Sequence, residues 1–141
     1  MNAVEISRTG LDVEWQRLQV IAQNLANMNT TRAGGGEAYR AMRLLSGPQT
    51  NFARLMSTSA PTALKGVKVL GLQPTNDGVR RVYEPSHPDA DGAGFVTYPA
   101  IDQASEMTLL LKTSRVYSAN LMAMSVAQQM YARALDLGKQ A

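Results

Sequence analysis

The chain has 141 residues, of which 45% are hydrophobic and 6% aromatic, with a net charge of +3 and no cysteine. It has the size of one ordinary domain and is too apolar to be disordered throughout. The missing thiols exclude a disulfide framework, a cysteine nucleophile and cysteine-ligated metal centres.

The first ten residues, MNAVEISRTG, carry Glu5 but neither a basic run nor an apolar stretch of the signal-peptide kind. No window approaches the ~18 uninterrupted apolar residues that a membrane span needs. If the protein leaves the cytoplasm, the expected route is one that reads no cleavable signal.

From about Ala3 to Asn29 the pattern predicts a helix. Leu11, Trp15, Leu18, Ala22 and Leu25 recur at alternating steps of four and three, the period of a coiled-coil seam. Such a helix would be ~40 Å long. Its second half, Leu18 to Thr31, contains no charged residue but carries Gln19, Gln23, Asn24, Asn27 and Asn29. With the seam placed as above, Asn24 and Asn27 fall outside it, where a solitary helical hairpin would favour Glu, Lys or Arg.

The segment TTRAGGGEA reads as a flexible connector, and SGPQTNFARLMSTSAPTALKG as a loop. GVKVLGLQ and VRRVYEP are strand-like, separated by PTNDG, whose Asp77-Gly78 pair suits a hairpin turn. A turn-rich loop then closes on a short strand, Phe95 to Tyr98.

A second helix is predicted from about Ile101 to Gly138. Met107, Leu110, Ser114, Tyr117, Leu121, Met124, Gln128, Tyr131 and Leu135 step by three and four, over roughly 55 Å. Again a long stretch, VYSANLMAMSVAQQMYA, lacks charge. The expected fold is mainly α with a small β region. Terminal helices in 1–31 and 101–141 pair as a coiled-coil-like bundle, and 32–100 form a linker and a small β-containing region.

The inventory for catalysis is nearly empty. His87 is the only histidine and sits in a loop between Ser86 and Pro88, the place of a turn residue rather than a base or ligand. No serine-hydrolase elbow, zinc-protease helix or phosphate loop is present. DADG, Asp89 to Gly92, opens like a calcium loop, but Ala100 occupies the twelfth position where a bidentate acid is required. Carboxylates that cap backbone N–H groups are the expected role there. No cofactor and no metal are implied, and an enzyme is not expected.

Charge is segregated along the chain. Arg32 to Arg81 holds eight basic and two acidic residues; Val82 to Leu111 holds five acidic residues and no Lys or Arg. The basic residues are dispersed rather than interleaved with stacking aromatics, so nucleic acid is not the expected partner. Two readings stand: plain solvated surface, and acidic and basic faces of neighbouring copies or different subunits that meet, with Glu84, Asp89 and Asp91 as weak candidates beside Tyr83. Uncharged polar helix faces likewise suit contact with more protein, because amides bond across an interface without the desolvation cost of a buried ion.

These features coincide with a known pattern. GLDVEWQRLQVIAQNLANMNTT resembles the N-terminal signature of bacterial flagellar rod and hook proteins, through Gly10, Leu11, Asn24, Leu25, Ala26, Asn27, Asn29 and Thr30. Met28 departs from it, since a smaller residue is usual there. YRAMRLL, VYEPSHPDADGAGFVTYPAIDQASEM, SRVYSANL and ALDLGK resemble proximal-rod members of that family.

The resemblance implies a structural subunit of the proximal rod, a drive shaft that crosses the periplasm in the flagellar basal body and transmits torque. The terminal helices would form its inner axial layer and 32–100 its outer region. Implied partners are copies of itself, other rod proteins, the rod-to-ring junction protein and the type III export apparatus, with no membrane insertion. The expected subunit-interface residues are Leu11, Trp15, Leu18, Ala22, Asn24, Leu25, Asn27, Asn29, Met107, Leu110, Tyr117, Leu121, Met124, Gln128, Tyr131 and Leu135. Another short axial protein of the same family, or a soluble helical adaptor or chaperone, is the alternative.

Overall fold

The structure is a computed structural model and describes residues 3–49 and 65–139. Two long helices, α1 (Ala3–Ala26) and α2 (Gln103–Lys139), pack antiparallel, and four strands lie between them in sequence. Those strands are β1 (Met42–Pro48), β2 (Val67–Pro74), β3 (Val79–Tyr83) and β4 (Phe95–Pro99). The result is mainly helical with a small β part, as the periodicity predicts.

α1 ends at Ala26, three residues before the expected Asn29. The Asn27 side-chain amide donates to the Gln23 carbonyl at 2.9 Å, and its oxygen accepts the Thr30 hydroxyl at 3.1 Å. The Gln23 carbonyl, which already takes the Asn27 N–H at 3.0 Å, thus gains a second donor that fastens the last turn. α2 begins just after Asp102, whose carboxylate accepts the Ala104 and Ser105 N–H groups at 3.2 and 3.1 Å. This is a side-chain N-cap, worth about 1 kcal/mol.

The glycine tract is not the free connector expected. The Ala33 N–H donates to the Glu37 carbonyl at 2.7 Å, and the Tyr39 N–H to that of Thr30 at 3.1 Å. The segment from Thr30 to Tyr39 therefore folds back on itself and delivers the chain to β1.

The strands pair in two separate antiparallel sheets, β1 with β2 and β3 with β4. Asp77-Gly78 accordingly does not close a hairpin. Gly78 has a φ of 72°, but its turn passes the chain from one sheet to the other. The local turn chemistry was right for a reversal and silent about which strands it joins. β1 was not expected at all, because Ser46, Gly47 and Pro48 read as loop. Most of the expected loop after it, residues 50–64, lies outside the described residues.

The first sheet is laid along α1. The Asn24 side chain bonds the backbone of Met42, the Arg17 guanidinium donates to the Ser46 hydroxyl at 2.8 Å, and the Thr9 hydroxyl accepts the Val67 N–H at 3.1 Å. β1 spans about 20 Å at the usual strand rise, close to the ~22 Å from Thr9 to Asn24 along a helix. Gly66 makes the last contact possible, since a Cβ there would fall 1.9 Å from the Thr9 hydroxyl oxygen.

Because α1 has two neighbours, its buried stripe differs from the expected seam. Val13, Glu14, Val20, Ile21 and Asn24 are buried along with Leu11. Trp15 and Ala22 are exposed, and Leu18 and Leu25 half-buried. A seam drawn for one partner helix is rotated when a β-ribbon takes the other side.

Candidate assembly surface

The expected interface residues divide into those the chain uses itself and those it leaves open. Asn24 belongs to the first group and corrects the expectation: it is 0% exposed, so no other subunit can reach it. Its Nδ2 donates to the Met42 carbonyl at 2.9 Å and to the Glu106 carboxylate at 3.3 Å. Its Oδ1 accepts the Met42 N–H at 2.9 Å and the Tyr39 hydroxyl at 3.0 Å. Leu11 is buried as well.

Glu106 was not foreseen. It is 2% exposed, sits in the first turns of α2, and takes an ion pair from Arg43 of β1. No pattern of apolar spacing signals such a residue, because a buried carboxylate looks like a surface one in sequence. Burial of Tyr39, and then the Glu106 charge nearby, raise its phenol above the usual 10.0.

The acidic loop also finds its partners within the chain. Asp89 accepts the Thr31 hydroxyl at 2.8 Å and pairs with Arg32 at 3.0 Å. Asp91 pairs with Arg81, and its Oδ1 accepts the Ala93 and Phe95 N–H groups, both at 2.9 Å. The Phe95 bond, followed by those of Ala93 and Arg81, holds the Asp91 carboxyl below its usual 3.8. Glu84 accepts the Tyr98 hydroxyl at 2.9 Å and thereby raises that phenol. Part of the charge segregation along the sequence is thus folded into internal ion pairs, while Asp91 keeps an exposed side chain. Tyr83 stays exposed, edge-on to Phe95 at 5.3 Å.

Within DADG, Asp91 caps backbone N–H groups as expected, whereas Asp89 binds the side chains of Thr31 and Arg32. His87 is a turn residue whose Nδ1 accepts the Asp89 N–H at 3.1 Å. Among the described residues no group of three or more His, Asp or Glu is arranged to hold a metal ion. No helix among them is long and apolar enough to cross a membrane.

The open group lies mainly on α2. Of its 37 residues only Glu106 and Thr113 are buried, and both are polar. Leu110, Tyr117 and Met124 are half-buried; Met107, Leu121, Gln128, Tyr131 and Leu135 are exposed. Leu111, Met122, Val126, Met130 and Leu137 add to that apolar surface. From Gln128 onward every described residue of the helix is exposed. On α1, Trp15 is 55% exposed even though its ring lies 6.5 Å from that of Tyr117. Asn27 is half-buried and Asn29 exposed.

Comparison with known families places this arrangement in a class. Residues 5–33 match the family "Flagella basal body rod protein", and residues 93–137 match "Flagellar basal body rod FlgEFG protein C-terminal". The two matches fall on α1 with the turn after it, and on β4 with α2. Along the whole chain the similarity narrows. The flagellar basal-body rod protein FlgC of Bacillus subtilis is 33% identical, over 98% of this chain and 97% of that one. FlgC of Escherichia coli O6:H1 is 33% identical and FlgC of Salmonella typhimurium 32%, each over 99% of this chain and 98% of the relative. The chain belongs to the FlgC family of flagellar basal-body rod proteins.

Proposed function

We propose that the protein is a structural subunit of the proximal rod that builds the shaft by burying its helices against other rod subunits and copies of itself. The observation that carries this reading is the exposure of α2. Seven large apolar side chains between Leu121 and Leu137 stand in water. Burying a residue of this kind stabilises by about 1.5–3 kcal/mol, and an apolar surface of this extent marks a contact with another protein.

On this reading 1–31 and 101–141 form the inner axial layer, and 32–100 the outer region. Trp15, Leu18, Ala22, Leu25, Asn27 and Asn29 of the first segment face neighbouring subunits, together with the exposed row of α2. The rod stands in the periplasm, transmits torque, meets the rod-to-ring junction protein, and receives its subunits from the type III export apparatus.

The test is mass spectrometry of basal bodies purified from the native host, with site-specific crosslinkers at Leu121 and Leu135. Recovery of the chain in the rod fraction, crosslinked to rod proteins, is expected. Absence from basal bodies in motile cells would refute the proposal.

A further inference from the structure

The polar cluster under β1 has no part in the assembly reading, yet it joins three segments through a single side chain. A primary amide offers two donors and two acceptor sites, and Asn24 uses all four. Towards Met42 it acts as a neighbouring strand would, accepting the N–H and donating to the C=O. Its remaining donor reaches Glu106 on α2, and Arg43, the residue after Met42, neutralises that same carboxylate.

We propose that Asn24 and Glu106 form a latch that makes the pairing of α1 with α2 conditional on docking of the Tyr39–Arg43 segment. The helix pair and the first sheet then open and close as one unit. Without Tyr39, Met42 and Arg43, Asn24 keeps one of its four bonds, and Glu106 keeps no cation. Undocking would leave an amide and an uncompensated carboxylate between the two helices, and hydrating them draws water into the helix contact. The apolar part of the contact contributed by α2 is limited to half-buried side chains such as Leu109, Leu110, Tyr117 and Met124, so the polar cluster weighs heavily in it. Asparagine suits the position uniquely: aspartate lacks both donors, and alanine leaves Met42, Tyr39 and Glu106 without their partner.

Hydrogen exchange on the purified full-length chain tests the latch, using Arg43→Met. Arg43 lies on β1 and bonds the Met42 carbonyl and Glu106 of α2, so the change removes no bond to an α1 side chain. Amide protection in α1, in α2 and in β1–β2 is expected to fall by a common factor of about tenfold or more. Loss confined to β1–β2, with both helices at wild-type protection, would overturn the proposal. So would wild-type helices that exchange freely beside a protected sheet. Should Arg43→Met not fold, Tyr39→Phe removes a single donor. It should lower all three regions together by a smaller factor, and a change limited to β1–β2 would again overturn the latch.

Discussion

Trp15 of α1 and Tyr117 of α2 meet with ring planes inclined at 49°, yet more than half of the indole remains in water. The pair sits at the rim of the helix contact, where it steadies the chain and still offers surface to a neighbour. Trp15 is the only tryptophan, so its emission reports on this spot alone. In the isolated chain the emission should be that of a hydrated indole, and it should move to shorter wavelength on incorporation into rods. Trp15→Ala should lower stability by about 0.5–1.5 kcal/mol in urea unfolding, the range for an aromatic pair, and should impair motility more than that loss accounts for.

Leu135 separates assembly from folding more cleanly. It is 67% exposed and lies in the part of α2 where no described residue is covered. Leu135→Asp should leave the unfolding midpoint of the purified chain unchanged to within about 0.5 kcal/mol, as surface substitutions do. Motility should nevertheless be lost, because a carboxylate would have to be desolvated between subunits. Normal swimming by a strain carrying this variant would show that the tail of α2 is not buried in the rod.

What could be read from the sequence follows from the range of each signal. Helical period and the strand-like runs GVKVLGLQ, VRRVYEP and Phe95 to Tyr98 are local, and they are legible. β1 was not, since its strand character depends on pairing with β2 across residues 49–66 rather than on Ser46, Gly47 and Pro48 themselves. The rotation of the α1 seam has the same origin: Val20 and Ile21 are covered because a ribbon lies where a two-helix argument placed solvent. Burial of Asn24 was hidden for a further reason. Its partners are two backbone groups, a phenol and a distant carboxylate, none of which leaves a trace in hydrophobic spacing.

Asn24→Asp should therefore act on the fold of the single chain, not on its contact with neighbours. The substitution removes the donors to the Met42 carbonyl and to Glu106, and sets a second carboxylate beside the first. A loss of about 3–5 kcal/mol is expected, the cost of leaving buried charge uncompensated. Urea unfolding of the monomer checks it, and an unchanged midpoint would contradict the buried position.

The loop at Asp91 should loosen in acid. Its carboxyl is held below the usual 3.8, foremost by the Phe95 N–H and then by Ala93 and Arg81. A lowered folded value means that the contribution to stability is present above 3.8 and disappears as pH falls through the lower folded value. The amide resonances of Ala93 and Phe95 should move together in that acid window, while Asp91→Ala should show the loosened loop already at neutral pH.

Tyr39 gives the opposite limit. Its phenol is raised above 10.0 by burial and by the negative charge of Glu106, so the unfolded chain releases this proton more readily than the folded one. The stabilisation is thus complete below pH 10.0 and is lost as pH climbs through the raised folded value. Ionisation would remove the hydrogen that Tyr39 donates to Asn24 and place a second anion near Glu106. Following tyrosinate absorbance and helicity together should show one late-titrating phenol whose ionisation coincides with loss of helix. Tyr98 is raised as well, through its bond to Glu84, but it lies on β4 and its ionisation should leave the helices intact. Tyr39→Phe should abolish the coincidence and leave the late titration of Tyr98 in place; Tyr98→Phe should do the reverse.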